Sequence, residues 1–204
     1  MIINCGPKHD IRQFSLELPK IRKRLGVLVS GGIDSTLLYY LLLYLNKENN
    51  ASHIIKPFTV LRKEGAKYFA KPMVNHVHRI LGLPESFSTI VGDTTLPEPE
   101  QVKSGVENII QKLGYGVVYI GAISLRPEHL INIEKPITIE TPEVRFPLLN
   151  LEKSHVIDLY YKLGIESILQ YTHSCNTSET EHCGFCNGCT ERIWGFTELG
   201  LDPV

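Results

Sequence analysis

The sequence predicts an α/β fold, a three-layer doubly wound parallel sheet, with a small C-terminal metal-binding subdomain. Three observations predict it. Short β-rich apolar runs alternate with stretches of helical periodicity as far as Gly121, the pattern of strands joined by crossover helices. A Ser-Gly-Gly turn closes the first buried strand and opens a helix, where parallel sheets bind ligands. Four of the five cysteines bunch near the end, at Cys175, Cys183, Cys186 and Cys189.

The elements follow in order. The basic run Lys20-Ile21-Arg22-Lys23-Arg24 reads as a solvated lead-in to the strand Leu25-Gly26-Val27-Leu28-Val29, whose unbroken apolar character suits burial on both faces. A Leu- and Tyr-rich helix covers about 35–45. The next strand is His53-Ile54-Ile55-Lys56-Pro57-Phe58-Thr59-Val60-Leu61, with Pro57 pointing to an edge or a local break. Met73, Val77, Ile80 and Leu81 mark a helix over 66–81 that Pro72 kinks or restarts. Phe87-Ser88-Thr89-Ile90-Val91 is strand-like. Val102, Val106, Ile109, Ile110 and Leu113 recur at helix spacing up to a stop at Gly114, before the strand Val117-Val118-Tyr119-Ile120-Gly121. After Arg145-Phe146-Pro147-Leu148-Leu149 the pattern changes, with one more helix over 153–163 and a polar tail. The expected division is an α/β domain over 1–150 and a helical, cysteine-bearing region over 151–204.

Composition bounds the class. Among 204 residues, 43% are hydrophobic and 21% charged, which excludes collagen, coiled coil and a wholly disordered chain. Lys+Arg 21 against Asp+Glu 22 leaves a formal net charge of -1, so no global field draws nucleic acid, and direct nucleic-acid binding is not expected. The most apolar stretch, Leu37-Leu38-Tyr39-Tyr40-Leu41-Leu42-Leu43-Tyr44-Leu45, is well short of a bilayer span. No apolar signal region follows Lys8, Asp10 and Arg12. Cysteines grouped as metal ligands suit a reducing, cytoplasmic setting.

Ser30-Gly31-Gly32-Ile33-Asp34-Ser35-Thr36 joins the first strand to its helix. Two glycines let the backbone approach a phosphate and present N–H groups to it. The helix N-terminus behind adds positive charge, and Ser35 and Thr36 add hydroxyls. Asp34 either caps the helix or helps hold Mg²⁺. A Walker loop fails, because Gly32 and Ile33 stand where Lys and Ser/Thr are needed. The dinucleotide fingerprint fails for want of a third glycine.

Cys175, Cys183, Cys186 and Cys189 form C-x7-C-x2-C-x2-C. Two C-x2-C steps sharing Cys186 aim thiolates inward, and Cys175 closes the set, which describes a structural Zn²⁺ site. An iron–sulfur cluster is the rival, and zinc is preferred because such closely spaced ligands suit a small knuckle. His173 and His182 read as non-ligands, since four thiolates already satisfy zinc. Cys5 stands apart and reads as a buried small hydrophobe.

Ser30-Gly31-Gly32-Ile33-Asp34-Ser35 resembles the S-G-G-x-D-S signature of the PP-loop ATP pyrophosphatases. Joined to the cysteine string, the resemblance narrows to the QueC-type 7-cyano-7-deazaguanine synthases of queuosine and 7-deazaguanine biosynthesis. It is carried by Phe146-Pro147-Leu148-Leu149, Lys153, Leu163-Gly164-Ile165, Thr172-His173-Ser174-Cys175, Cys183-Gly184-Phe185-Cys186-Asn187-Gly188-Cys189, Arg192 and Gly195-Phe196. What it implies is an adenine-nucleotide α-hydrolase-like fold, with 1–150 as the ATP-binding domain. It implies a ligase that uses ATP and Mg²⁺ to adenylate the carboxylate of 7-carboxy-7-deazaguanine and converts it with ammonia to the nitrile, releasing AMP and pyrophosphate. ATP would be held by Leu28, Val29, Ser30, Gly31, Gly32, Ile33, Asp34, Ser35 and Thr36, with Phe58 and Val60 beside the adenosine. Lys153 and Arg126 are the candidate cations for charge on the α-phosphate, with Asp34 the third catalytic candidate. Homodimerisation is also a family expectation.

Two departures stand out. Gly121-Ala122-Ile123-Ser124-Leu125 runs straight into Arg126-Pro127-Glu128, so most of the family's substrate-binding stretch is missing. Leu61-Arg62-Lys63-Glu64-Gly65 replaces the family's Tyr-Gly-Gln after the second strand. The rival functions are a QueC-like enzyme that stops at the amide or adenylates another acceptor such as a protein amine, a PP-loop tRNA thiolase, and a non-enzymatic nucleotide sensor.

Overall fold

The computed structural model describes residues 1–60, 66–124, 141–178 and 180–204. The chain opens with an antiparallel hairpin of β1 (Ile2–Cys5) and β2 (Arg12–Ser15). Then come β3 (Arg24–Leu28), α1 (Ile33–Glu48), β4 (Ile54–Val60), α2 (Ala66–Ile80), β5 (Thr89–Val91) and α3 (Glu98–Glu107), which runs on through a π-helical turn at Asn108–Lys112. β6 (Val117–Ile120), β7 (Val144–Arg145), α4 (Lys153–Lys162), a 3₁₀ turn at Glu166–Tyr171 and α5 (Asn187–Thr197) follow.

Five of the strands form one parallel sheet in the order β5-β4-β3-β6-β7. From β3 the chain steps outward to β4 and β5, then returns across β3 to β6. Right-handed crossovers on those opposite walks place helices on opposite faces. α1, α2 and α4 cover one face, and α3 with its π turn covers the other. The strand side chains alternate to match. Leu25, Val27, Val117 and Tyr119 enter the larger core, while Phe58, Val60 and Val118 enter the smaller one with Ile109. The doubly wound α/β expectation therefore holds.

α1 is buried on nearly all sides, from Leu37 and Leu38 through Leu41, Leu42 and Leu45. It needs to be, because it lies between the sheet and α2 and α4. Residues on both sides of position 150 share this core, including Leu148, Leu151, Val156, Tyr160, Leu169 and Phe196. No helix among the described residues is long and apolar enough to cross a membrane.

Several details differ from the sequence reading. Pro57 sits in an inner strand, not at an edge. Phe58 O accepts from Val29 N, so the backbone at Pro57 faces the β5 side. β5 begins only opposite Phe58, and no partner there needs the missing N–H. α2 runs unbroken through Pro72. The hairpin β1–β2 and the two-residue β7 are additions. Lys20, Ile21, Arg22 and Lys23 are exposed, as a solvated lead-in requires. Residues 61–65, with the replaced Tyr-Gly-Gln position, lie outside the described residues.

Candidate functional site

β3 and β6 are neighbours whose chain connections depart in opposite directions, so a crevice opens beyond their carboxyl ends. Val29-Ser30-Gly31-Gly32 leaves β3 there, and α1 starts at Ile33. A cleft of about 250 Å³ occupies the spot, lined by Leu28, Val29, Ser30, Gly32, Asp34, Ser35, Val60, Val102, Ile120, Gly121 and Ala122.

The loop is tied from within. Ser35 Oγ accepts from Ser30 N at 3.1 Å, donates to Gly32 O at 3.3 Å and lies 3.0 Å from Ser30 Oγ. Gly32 N donates to Ser30 Oγ at 3.3 Å. Gly31 has φ +88°, and a Cβ there would meet Phe69 Cβ at 2.5 Å, so only glycine fits. At Gly121 a Cβ would lie 2.9 Å from both Cα and N of Ser35. That missing methyl lets the end of β6 touch the start of α1.

Gly32, not Asp34, is the N-cap of α1, and it makes no side-chain cap bond. The helix-cap reading of Asp34 is thereby corrected. Asp34 lies in the first turn, where a carboxylate suits the helix dipole. Its Oδ2 accepts from Lys153 Nζ at 2.5 Å. Its Oδ1 is buried with no hydrogen-bond partner, and so is Thr36 Oγ1. Of the two only Asp34 lines the cleft, and an orphaned carboxylate oxygen there fits the coordination of a hydrated cation.

Lys153 is buried, 4% exposed. A lysine at the N-terminal end of α4 opposes the dipole, and two carboxylates compensate, Asp34 and, at 3.1 Å, Glu191 of α5. Burial works to lower its pKa, but Asp34 and then Glu191 outweigh it and hold the ammonium above its ordinary value. Tyr160, one face of α4 further on, donates to Ile33 O at 2.7 Å. α4 thus braces the first turn of α1 at two points.

Cys175, Cys183, Cys186 and Cys189 bring their sulfurs within 4.8 Å of one another. Cys186 and Cys175 are 3.9 Å apart, Cys183 and Cys189 4.0 Å. A tetrahedral four-thiolate site with Zn–S bonds of about 2.3 Å has edges of about 3.8 Å, so the donor set fits. Backbone N–H groups of Ser178, Asn176 and Cys186 donate to Cys175, Cys186 and Cys183 sulfurs, each at 3.3 Å, as thiolates require. Neither His173 nor His182 belongs to the group. A second cluster, Asp10, Glu152 and His155, is internally satisfied. Arg12 pairs with Asp10 at 2.6 Å and Glu152 at 2.8 Å, and His155 Nδ1 accepts from Glu152 N at the start of α4.

The structure brings Leu28, Val29, Ser30, Gly32, Asp34, Ser35 and Val60 together at the cleft. Phe58 is not there. It is 1% exposed, its ring edge-on to Tyr115 at 5.0 Å in the smaller core. Ile33 is likewise a core residue, and Gly31, the buried Thr36 and the buried Lys153 are not in the lining either. Arg126 lies outside the described residues, as does the second half of the shortened stretch. Sequence reasoning missed Val102, Ile120, Gly121 and Ala122 in the lining and Glu191 on Lys153. The switch-point rule was the available signal for the end of β6, whereas nothing local in the sequence marks Glu191.

The fold and loop define a class: a parallel α/β protein with a glycine loop at its switch point and a four-cysteine cluster beside it. Known proteins narrow the class. A family model described as "Queuosine biosynthesis protein QueC" matches residues 125–200. The 7-cyano-7-deazaguanine synthase 2 of Desulfitobacterium hafniense (strain Y51) is 26% identical over 223 residues, covering 89% of this chain and 92% of that one. The 7-cyano-7-deazaguanine synthase of Pelobacter propionicus is 28% identical over 228 residues, covering 90% of this chain and 98% of that one. The chain is thus similar to QueC-type 7-cyano-7-deazaguanine synthases over about nine-tenths of its length, and the resemblance drawn from its motifs holds. A solved structure, the U34-tRNA thiolase NcsA of Methanococcus maripaludis with its 4Fe-4S cluster, aligns with TM-score 0.47 and 12% identity over 85% of this chain and 66% of that one. That similarity is too remote to carry an argument about chemistry or metal.

Proposed function

We propose that the protein is an ATP-dependent ligase that converts 7-carboxy-7-deazaguanine and ammonia to 7-cyano-7-deazaguanine, releasing AMP and pyrophosphate. The observation that carries this reading is the similarity to 7-cyano-7-deazaguanine synthases over about nine-tenths of the chain, with the glycine loop set at the switch-point cleft.

In the first stage a carboxylate oxygen of the substrate attacks the α-phosphorus of ATP and the bond to pyrophosphate breaks. Ammonia then attacks the acyl carbon, and AMP leaves with the former carboxylate oxygen, giving the amide. A second ATP activates the amide oxygen in the same way, and loss of AMP and protons gives the nitrile. The Gly31–Gly32 backbone and the Ser30 and Ser35 hydroxyls hold phosphate in this reading, and Val60 flanks the adenosine. Asp34 Oδ1, the partnerless oxygen, would hold Mg²⁺, which supplies neutralising charge to the leaving pyrophosphate. Lys153 keeps Asp34 aimed at the cleft, and with Arg126 it is the candidate positive charge near the α-phosphate. Cys175, Cys183, Cys186 and Cys189 would hold Zn²⁺, which supplies a structural cross-link.

The thiolase alternative has little to draw on. Cys5 is fully buried beside α4, with its thiol pushed up to about 11 by burial and by Asp158. The test is AMP and pyrophosphate release from ATP that depends on both 7-carboxy-7-deazaguanine and ammonium. Release with no dependence on the deazapurine rejects this substrate in favour of another acceptor. Accumulation of the amide alone marks an enzyme that stops halfway.

A further inference from the structure

His173 stands between the cysteine cluster and the glycine loop and touches both. Its backbone N–H donates to Gly31 O at 3.0 Å. Its ring lies flat on Phe69, with centroids 3.8 Å apart and planes inclined by 5°. Phe69 is the side chain against which Gly31 leaves no room for a Cβ. On the knuckle side, His173 Nε2 lies 2.7 Å from Ser178 O, and Ser178 N donates to Cys175 Sγ at 3.3 Å. The His182 ring is 5.0 Å from that of His173. A continuous chain of contacts therefore runs from a metal-ligand sulfur through Ser178 and His173 to Phe69 and Gly31.

Gly31 is the tightest link of the loop, since its φ of +88° suits glycine alone and a Cβ there would strike Phe69. The stack holds Phe69 in place, and with it the Phe69 Cβ and backbone that close off Gly31. We infer that His173 is a positioning residue whose ring transmits the order of the cysteine knuckle to the glycine loop, so that metal loading and nucleotide binding are linked. The inference rests on the glycine loop being the nucleotide site. Linkage is reciprocal: nucleotide must then tighten metal binding by the same factor that metal tightens nucleotide.

The experiment compares metal-loaded wild type, His173→Ala and His173→Phe. Hydrogen exchange of the amides over 30–36 is followed without nucleotide, and binding of a non-hydrolysable ATP analogue with Mg²⁺ is titrated separately. Losing a stacked ring pair corresponds to about a three- to tenfold change in an equilibrium. Loop exchange and nucleotide dissociation constant both rise by about that factor in His173→Ala, with the metal content unchanged. His173→Phe, which keeps the stack on Phe69 but loses the bond to Ser178 O, restores most of the loop order yet leaves Zn²⁺ affinity indifferent to the ATP analogue. Unchanged exchange and unchanged affinity in His173→Ala overturn the inference. A wild type that binds no nucleotide refutes the nucleotide reading, while loop exchange still decides the role of the ring. Wild-type protein also serves where His173→Ala fails to fold: Zn²⁺ affinity, measured by chelator competition, rises with the ATP analogue, and indifference to it overturns the linkage.

Discussion

Lys153 Nζ lies 2.5 Å from Asp34 Oδ2, with the lysine side chain 5% exposed. The pair joins the first turn of α1 to the first turn of α4, and Glu191 completes it from α5. Removing the lysine strands two carboxylates together away from water. Lys153→Met should lower stability by about 3–5 kcal/mol, the usual consequence of breaking a buried pair from one side. The pH dependence has a definite sign. A lysine raised in the folded state stabilises fully below its unfolded value of 10.5 and loses that contribution only as pH climbs through the higher folded value. Urea melts should show the gap between wild type and Lys153→Met constant in the neutral range and closing only at strongly alkaline pH.

His155 contributes on the acid side. Burial first, and then Arg12, hold its pKa below the ordinary 6.5, with Asp10 and Glu152 pulling the other way. The folded ring stays neutral where the unfolded one protonates. Stability from this group is therefore complete above about pH 6.5 and falls as pH drops toward the lowered folded value. In the same interval a His155→Gln variant should show a shallower decline in unfolding free energy.

Gly31→Ala and Gly121→Ala test the loop from its two sides. The first forces a side chain into φ +88° and onto Phe69, the second onto the backbone of Ser35. Gly31→Ala should lose about 1–3 kcal/mol to backbone strain. Both should weaken binding of an ATP analogue by at least about tenfold, as isothermal titration would show. Wild-type affinity in Gly121→Ala would mean that nucleotide does not sit between β3 and β6.

The cysteines divide four and one. Cys186→Ser should abolish stoichiometric metal by elemental analysis and lower the melting temperature, because structural zinc contributes folding energy directly. Cys5, with a thiol near 11 inside the core, should resist iodoacetamide in the folded protein at mildly alkaline pH and react on unfolding. Cys5→Ser should leave ATP-dependent product formation intact.

The local parts of this architecture were legible in sequence. Leu25-Gly26-Val27-Leu28-Val29 followed by Ser30-Gly31-Gly32 announced a central strand and its loop, because the turn chemistry and the apolar run lie next to each other in the chain. The cysteine spacing gave the cluster for the same reason. Pro57 misled because edge or centre depends on where β5 begins, which a strand does not encode in itself. Phe58 misled because it shares a face of β4 with Val60 but sits two residues back from the strand's carboxyl end, against Tyr115 in the core and not at the cleft. Lys153 was legible as a candidate cation but not as a buried ion-pair partner. Its partners come from Asp34 and Glu191, on two helices brought together by the fold.

The most direct measurement of the central claim uses 7-carboxy-7-deazaguanine labelled with ¹⁸O in its carboxylate, incubated with the protein, ATP, Mg²⁺ and ammonium. Adenylation of that carboxylate requires each AMP to leave with one labelled oxygen, with pyrophosphate unlabelled and the nitrile free of oxygen at that carbon. AMP formed without label would contradict the account, because another group would then have attacked the α-phosphorus.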